Sequence, residues 1–202
     1  MAVGNITALY QTRVKRLLAY SSIAQMGYLF MTLLAVKDGG VPALMFYLTA
    51  YAVMDLGAFG IIGTFSGGAT DREELSDYQG LGFTNPWRTG ILSVCLLGLA
   101  GLPPTAGFMG KLALFRAVLQ ANFVILAVLG IVTAIISIYY YINVVIHLYM
   151  QGNRDGPAVR GADLAIGLAG MVILGAILWL GITPEPLLRV ISSVVAALPT
   201  PG

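Results

Sequence analysis

The chain has 202 residues, 58% of them hydrophobic and only 10% charged, with a net charge of +2. Soluble domains carry about 25% charged residues, so this composition excludes a soluble domain and reads as a membrane protein with several spans. The small net charge makes no case for nucleic acid, and the lone cysteine, Cys95, excludes an intrachain disulfide and a multi-cysteine iron–sulfur or zinc site.

Met1 to Tyr10 is a short, mildly apolar lead-in. It lacks the basic start and long apolar core of a signal peptide. It is also too short for a bilayer, which needs about 20 apolar residues. Arg13, Lys15 and Arg16 form a basic cluster ahead of the first span, residues 17–36. In that span Tyr20, Ser21, Ser22, Gln25 and Tyr28 recur at roughly helical spacing, and they are expected to face other helices rather than lipid. Lys37-Asp38-Gly39-Gly40 reads as a tight turn. The second span, 41–65, puts Tyr47, Tyr51, Asp55 and Ala58 near one face, and Gly57, Gly60 and Gly63 allow close helix approach. Ser66 to Arg88 reads as a polar surface loop carrying Asp71, Arg72, Glu73, Glu74 and Asp77, closed by an interfacial Trp87-Arg88.

The third span, 89–119, runs on to Gln120 and would reach about 48 Å if straight, more than a hydrocarbon core of about 30 Å. A break or steep tilt is expected. The fourth span, 123–150, ends in Tyr139-Tyr140-Tyr141-Ile142-Asn143 and His147, which reads as an interfacial histidine among tyrosines. Gln151 to Gly161 is a polar loop with Arg154, Asp155 and Arg160. The fifth span, 164–182, has Trp179 near its far end and stops at Pro184-Glu185-Pro186. Residues 187–198 suit a short interfacial helix. The expected fold is an all-α membrane protein of about five transmembrane helices, in one polytopic domain over 1–202. Seven Lys or Arg (residues 13, 15, 16, 72, 88, 154 and 160) lie on the side of the N-terminus, against three (37, 116 and 189) opposite. The positive-inside rule then places the N-terminus in the cytoplasm and the C-terminus outside.

Inside the third span, Pro103 and Pro104 remove two backbone donors, so the carbonyls of Leu99 and Ala100, four residues earlier, lose their helical partners. In hydrocarbon such groups must face protein or water. Seven residues beyond Pro104 comes Lys111. An intramembrane ionisable residue is costly to keep, so a broken helix followed by a lysine points to a hydrated proton site, with Thr105 beside it to help hold waters. Snorkelling is the bland alternative, but Lys111 lies about 14 Å of helix from Gln120, roughly twice the reach of its stem. Asp55 has two readings side by side: a structural acid bonded to neighbouring hydroxyls, or a charge partner of Lys111 whose protonation would be coupled to it. Phosphate loops, dinucleotide fingerprints, paired metal ligands and Cys–His pairs are absent from the sequence, so no cofactor or metal is expected on this chain.

Four segments together resemble one family. Lys15-Arg16-Leu17-Leu18-Ala19-Tyr20-Ser21-Ser22-Ile23-Ala24-Gln25-Met26-Gly27-Tyr28 is similar to the signature of the antiporter-like subunits of respiratory complex I. Asp77-Tyr78-Gln79-Gly80-Leu81, Leu99 to Lys111, and Ser137-Ile138-Tyr139-Tyr140-Tyr141 narrow the resemblance to subunit N (subunit 2) of NADH:quinone oxidoreductases. It covers nearly the whole chain in order. It implies a fold of about fourteen spans in two inverted halves, each with a broken helix, of which this chain matches the last five. It implies that Pro103-Pro104 marks the second-half break and that Lys111 is that half's proton-relay lysine. In the reading favoured here Asp55, read from the residues, would modulate it. Other membrane subunits would be the partners, in a bacterial cell membrane. NADH, FMN, iron–sulfur clusters and quinone would sit on other subunits, with quinone reduction supplying the energy.

This sequence departs from the family pattern in three places. The first-half spans are missing, with Met1 about where the ninth would be ending, so a piece of a longer protein is expected. Asp55 stands where many members have Asn, and Asn143 where they often have Arg or Lys. Two rival readings remain: a subunit of a cation/proton antiporter or membrane-bound hydrogenase, or a non-pumping piece that completes an assembly.

Overall fold

A computed structural model describes residues 1–66, 73–149 and 164–197. Four helical stretches are long and apolar enough to cross a membrane: Val14–Asp38, Gly40–Phe65, Val124–Tyr149 and Ala165–Ile182. The remaining expected span is split into two shorter helices, as its excess length required. Asp71 and Arg72, the loop with Arg154, Asp155 and Arg160, and position 198 lie outside the described residues.

The lead-in is not a passive tail. It forms helix α1, Ala2–Leu9, whose Gly4, Asn5 and Ala8 are buried. A β-carbon on Gly4 would come within 2.7 Å of the Ala24 backbone nitrogen and 2.9 Å of the Tyr20 carbonyl oxygen. Glycine therefore lets α1 press against α2, Val14–Thr32. The first span ends in a 3-10 turn, Leu33–Asp38, closed by Gly39 at φ +82°, and Gly40 opens α3, Gly40–Ser66. The polar set of α2 does turn inward: Ser21, Gln25 and Tyr28 are buried, Tyr20 and Ser22 half-buried.

The connection after α3 departs from a plain surface loop. Its described part is stitched to the start of α2: the Val14 amide donates to the Glu73 carbonyl at 3.0 Å, and the Leu75 amide to the Thr12 carbonyl at 2.8 Å. Tyr78 and Leu81 are buried. The Tyr78 ring stands edge-on to Phe65, 6.1 Å between centroids. Burial of apolar surface explains the difference: an acidic segment can face water and still insert its tyrosine and leucine between helix ends. A one-turn helix α4, Leu81–Thr84, leads into α5, Pro86–Ala100. Proline at its first position suits a helix start. Trp87 is exposed, as an interfacial residue would be, while Arg88 is buried.

After the break come α6, Ala106–Gln120, and α7, Val124–Tyr149. The last elements are α8, Leu164–Ile182, and α9, Glu185–Ala197. Helix α3 lies centrally, packed against α2, α5, α6, α8 and α9. Among the described side chains of α8, Ile177 and Leu180 are the buried apolar ones, leaving an apolar outer surface suited to lipid or to another helix. The amphipathic α9 buries Ile191 alone.

Candidate functional site: a lysine on the broken helix

The geometry of the break follows from four residues. Gly101 adopts φ +84°, ψ 45°, a left-handed helix cap that glycine takes at little cost. Its amide donates to the Gly98 carbonyl at 2.9 Å, and the Leu102 amide donates to the Leu97 carbonyl at 3.1 Å. That cap uses the carbonyls of Leu97 and Gly98 and leaves those of Leu99 and Ala100 free. The chain restarts at Thr105, whose hydroxyl donates to the Leu102 carbonyl at 2.7 Å and accepts from the Phe108 amide at 3.4 Å. Pro103 and Pro104, exposed on the outer side of the break, stop α5 from continuing.

Lys111 sits in the second turn of α6 and reaches back across the break. Its Nζ donates to the Leu99 carbonyl at 2.8 Å and the Ala100 carbonyl at 3.0 Å. The side chain is buried. It therefore neither snorkels nor floats free: it caps the C-terminal end of α5, where the two leftover carbonyls and the negative end of the helix dipole attract a cation. Gly101 is also required sterically, because a β-carbon there would lie 2.9 Å from Lys111 Cδ.

A frame of polar side chains surrounds this contact. Gln25 Nε2 donates to the same Leu99 carbonyl at 3.3 Å and to the Tyr141 hydroxyl at 3.4 Å, while its Oε1 accepts from the Tyr47 hydroxyl. The carbonyl can only accept, which settles which end of the Gln25 amide faces it. The Tyr28 ring lies 5.6 Å from Lys111 Nζ, within cation–π range. Asn5 from α1 bridges two tyrosines: its Nδ2 donates to the Tyr28 hydroxyl at 3.0 Å and its Oδ1 accepts from the Tyr140 hydroxyl at 2.9 Å. The Tyr28 hydroxyl donates onward to Thr133 at 3.2 Å.

Among the described residues no ion pair joins Asp55 to Lys111. Asp55 instead lies one helical turn from Tyr51 and interacts with it. The Tyr51 hydroxyl donates to Ser22 Oγ at 2.8 Å. Asp55 Oδ1 is buried without a hydrogen-bond partner. The structure thus brings Lys111 onto the Leu99 and Ala100 carbonyls, with Thr105 starting α6 at the same break, and places Asp55 elsewhere, one turn from Tyr51. His147 is held locally, its Nδ1–H donating to the Asn143 carbonyl at 2.8 Å. Asn5 was not singled out from the sequence: a lone Asn in an eight-residue lead-in gives no signal. Gln25 was legible only as part of an inward-facing set.

Among the described residues no three His, Cys, Asp or Glu side chains gather as metal ligands, and Cys95 is a single buried thiol.

A family model described as "NADH:quinone oxidoreductase/Mrp antiporter, TM" matches residues 1–137, and the chain belongs to that family. It is 48% identical over 195 residues to NADH-quinone oxidoreductase subunit N 1 of Solidesulfovibrio magneticus, covering 96% of this chain and 42% of that protein. It is 44% identical over 199 residues to subunit N of Geotalea uraniireducens, covering 96% and 41%. The chain thus spans about two-fifths of the length of the curated relatives it matches. A chain of respiratory complex I from Thermus thermophilus superposes with a TM-score of 0.74 at 35% identity, over 93% of this chain and 42% of that one. A chain of the Mrp complex from Dietzia superposes with a TM-score of 0.84 at 21% identity, over 97% and 45%, a likeness of fold.

Proposed function

We propose that this chain is the C-terminal two-fifths of a subunit N, and that it moves protons within a membrane-embedded NADH:quinone oxidoreductase. Lys111 is the proton-relay residue. The observation that carries this reading is the Lys111 ammonium held on the Leu99 and Ala100 carbonyls, with no carboxylate paired to it among the described residues. A lysine bound by two neutral acceptors can release its proton and leave behind carbonyls, one of which keeps the Gln25 amide. A lysine locked to a carboxylate would instead leave an unpaired buried charge, which is costly. The freed carbonyls and Thr105 then offer acceptors for water at the break. The chain carries no redox group of its own in this reading. Quinone reduction elsewhere in the complex supplies the energy, and neighbouring membrane subunits are its partners, in a bacterial cell membrane with the start of α2 on the cytoplasmic side.

The test is Lys111→Met in the full-length subunit within its complex. Proton uptake by inverted membrane vesicles is read against the rate of quinone reduction by NADH. Loss of proton uptake with the complex still assembled supports the reading. Unchanged uptake per electron overturns it and leaves a structural assembly role. Proton uptake driven by a sodium or potassium gradient in place of NADH would favour the antiporter alternative.

A further inference from the structure

We infer that Asn5, on the short helix ahead of the first span, is a positioning residue for the Lys111 station. The inference rests on the relay reading above. Asn5 is fully buried, and all the capacity of its amide needed here is committed across helices: one end to Tyr28 of α2, the other to Tyr140 of α7. Its partner Tyr28 presents a ring to the Lys111 ammonium at 5.6 Å. The hydroxyl of that ring has two holders, Asn5 as donor and Thr133 as acceptor. The ring's tilt toward the ammonium is thereby set from the far end of the side chain.

The placement is built into the fold rather than incidental. The absence of a side chain at Gly4 lets α1 sit against the Tyr20 and Ala24 backbone, and that contact delivers Asn5 to the middle of the tyrosines. An amide suits the position because it donates and accepts at once and does not titrate near neutral pH. A carboxylic acid there would add a second proton site beside the lysine. The titratable groups placed around this contact are tyrosines: the Tyr28 ring of α2 lies against Lys111 itself, Tyr47 of α3 and Tyr141 of α7 share Gln25, which donates to the same Leu99 carbonyl, and Tyr140 of α7 holds Asn5. Asp55, the acid on α3, makes no ion pair with it, and α8 carries no titratable side chain at all. The charged state of the lysine is therefore balanced by carbonyls and by the Tyr28 ring. Loosening that ring changes the proton affinity of the station without touching the lysine.

The experiment uses the assembled complex in inverted vesicles, with proton uptake and quinone reduction each followed across pH. Asn5→Leu keeps the branched outline of the side chain and removes both hydrogen bonds. The expected result is a fall in proton uptake of roughly 2- to 30-fold at the parental optimum, from the range of cation–π contributions, with the pH profile of uptake displaced. Tyr28→Phe keeps the ring and its packing but drops the hydroxyl, so it tests the same link even if Asn5→Leu fails to assemble. The two changes combined are expected to be no worse than Asn5→Leu alone, since they break one chain of contacts. An uptake profile superimposing on the parent in either assembled single variant overturns the assignment of Asn5, provided Lys111→Met abolishes uptake in the same vesicles. If Lys111→Met leaves uptake intact, the relay reading falls first and Asn5 falls with it.

Discussion

Replacing Gly101 by alanine tests the whole account of the break with a single methyl group. Gly101 holds φ +84°, ψ 45°, a conformation that costs an L-residue about 1–2 kcal/mol. The new β-carbon would lie 2.9 Å from Lys111 Cδ and 3.4 Å from Nζ. Cδ is the middle of the stem, so the lysine must swing as a whole and release one of its two carbonyls. A hydrogen bond to a charged group contributes about 1.5–3 kcal/mol. The sum is about 2.5–5 kcal/mol, concentrated on the relay residue, and a loss of about tenfold or more in proton uptake is expected, at 1.4 kcal/mol per decade. The control is Gly90→Ala in α5, where no atom lies within 4 Å of the new β-carbon and helix propensity favours alanine by about 0.5–1 kcal/mol. Both variants are measured for thermal stability of the purified complex and for dye-reported proton uptake in vesicles. If Gly101→Ala behaves like Gly90→Ala in both assays, the lysine does not hold the break as described.

Thr105→Ala removes the hydroxyl that starts α6 and should lower stability by about 1 kcal/mol, read as a modest fall in melting temperature of the complex. Asp55→Asn keeps the shape of a side chain that has one unpartnered buried oxygen and no bond to Lys111. Proton uptake is expected to stay within about twofold of the parent, since a double effect would be only about 0.4 kcal/mol, and a collapse of uptake would restore Asp55 as a charge partner. Gly107→Ala would drive its β-carbon into the Gly98 carbonyl of α5. Backbone cannot yield there, so assembly of the complex, scored on native gels, should fail. Arg13→Ala breaks an ion pair of 3.0 Å with Glu73 in which both side chains are about 40% exposed; such pairs contribute less than about 1 kcal/mol, and the melting temperature should scarcely move.

Much of the membrane architecture was legible because bilayer thickness imposes it. A run of about 20 apolar residues is a length requirement, so candidate spans could be read from length and composition. The split third span followed from an excess of length and from Pro103-Pro104. The release of the Leu99 and Ala100 carbonyls followed from the four-residue offset of helical hydrogen bonds. The glycine cap at Gly101 was harder to see. Its role depends on a left-handed backbone angle that the residue permits but does not announce.

Other features depend on neighbours distant in the chain. Tyr78 looks like a loop residue until the Phe65 ring is beside it. Asp55 had two settings of equal merit on paper, because Asp55 and Lys111 lie on helices whose relative rotation no local pattern defines. Asn5 carried no signal, since its meaning comes from Tyr28 and Tyr140, 23 and 135 residues away.

The amino-acid sequence by itself determined that the chain lives in a membrane, where it crosses, where one crossing must break, and that a lysine follows the break. These are consequences of hydrocarbon thickness, backbone hydrogen bonding and the missing donors of proline. Only the tertiary structure decided what the lysine touches. Its ammonium rests on α5 carbonyls and beneath a Tyr28 ring, because helix packing, set by close contacts at Gly4, Gly101 and Gly107, fixes the rotation of each helix about its own axis.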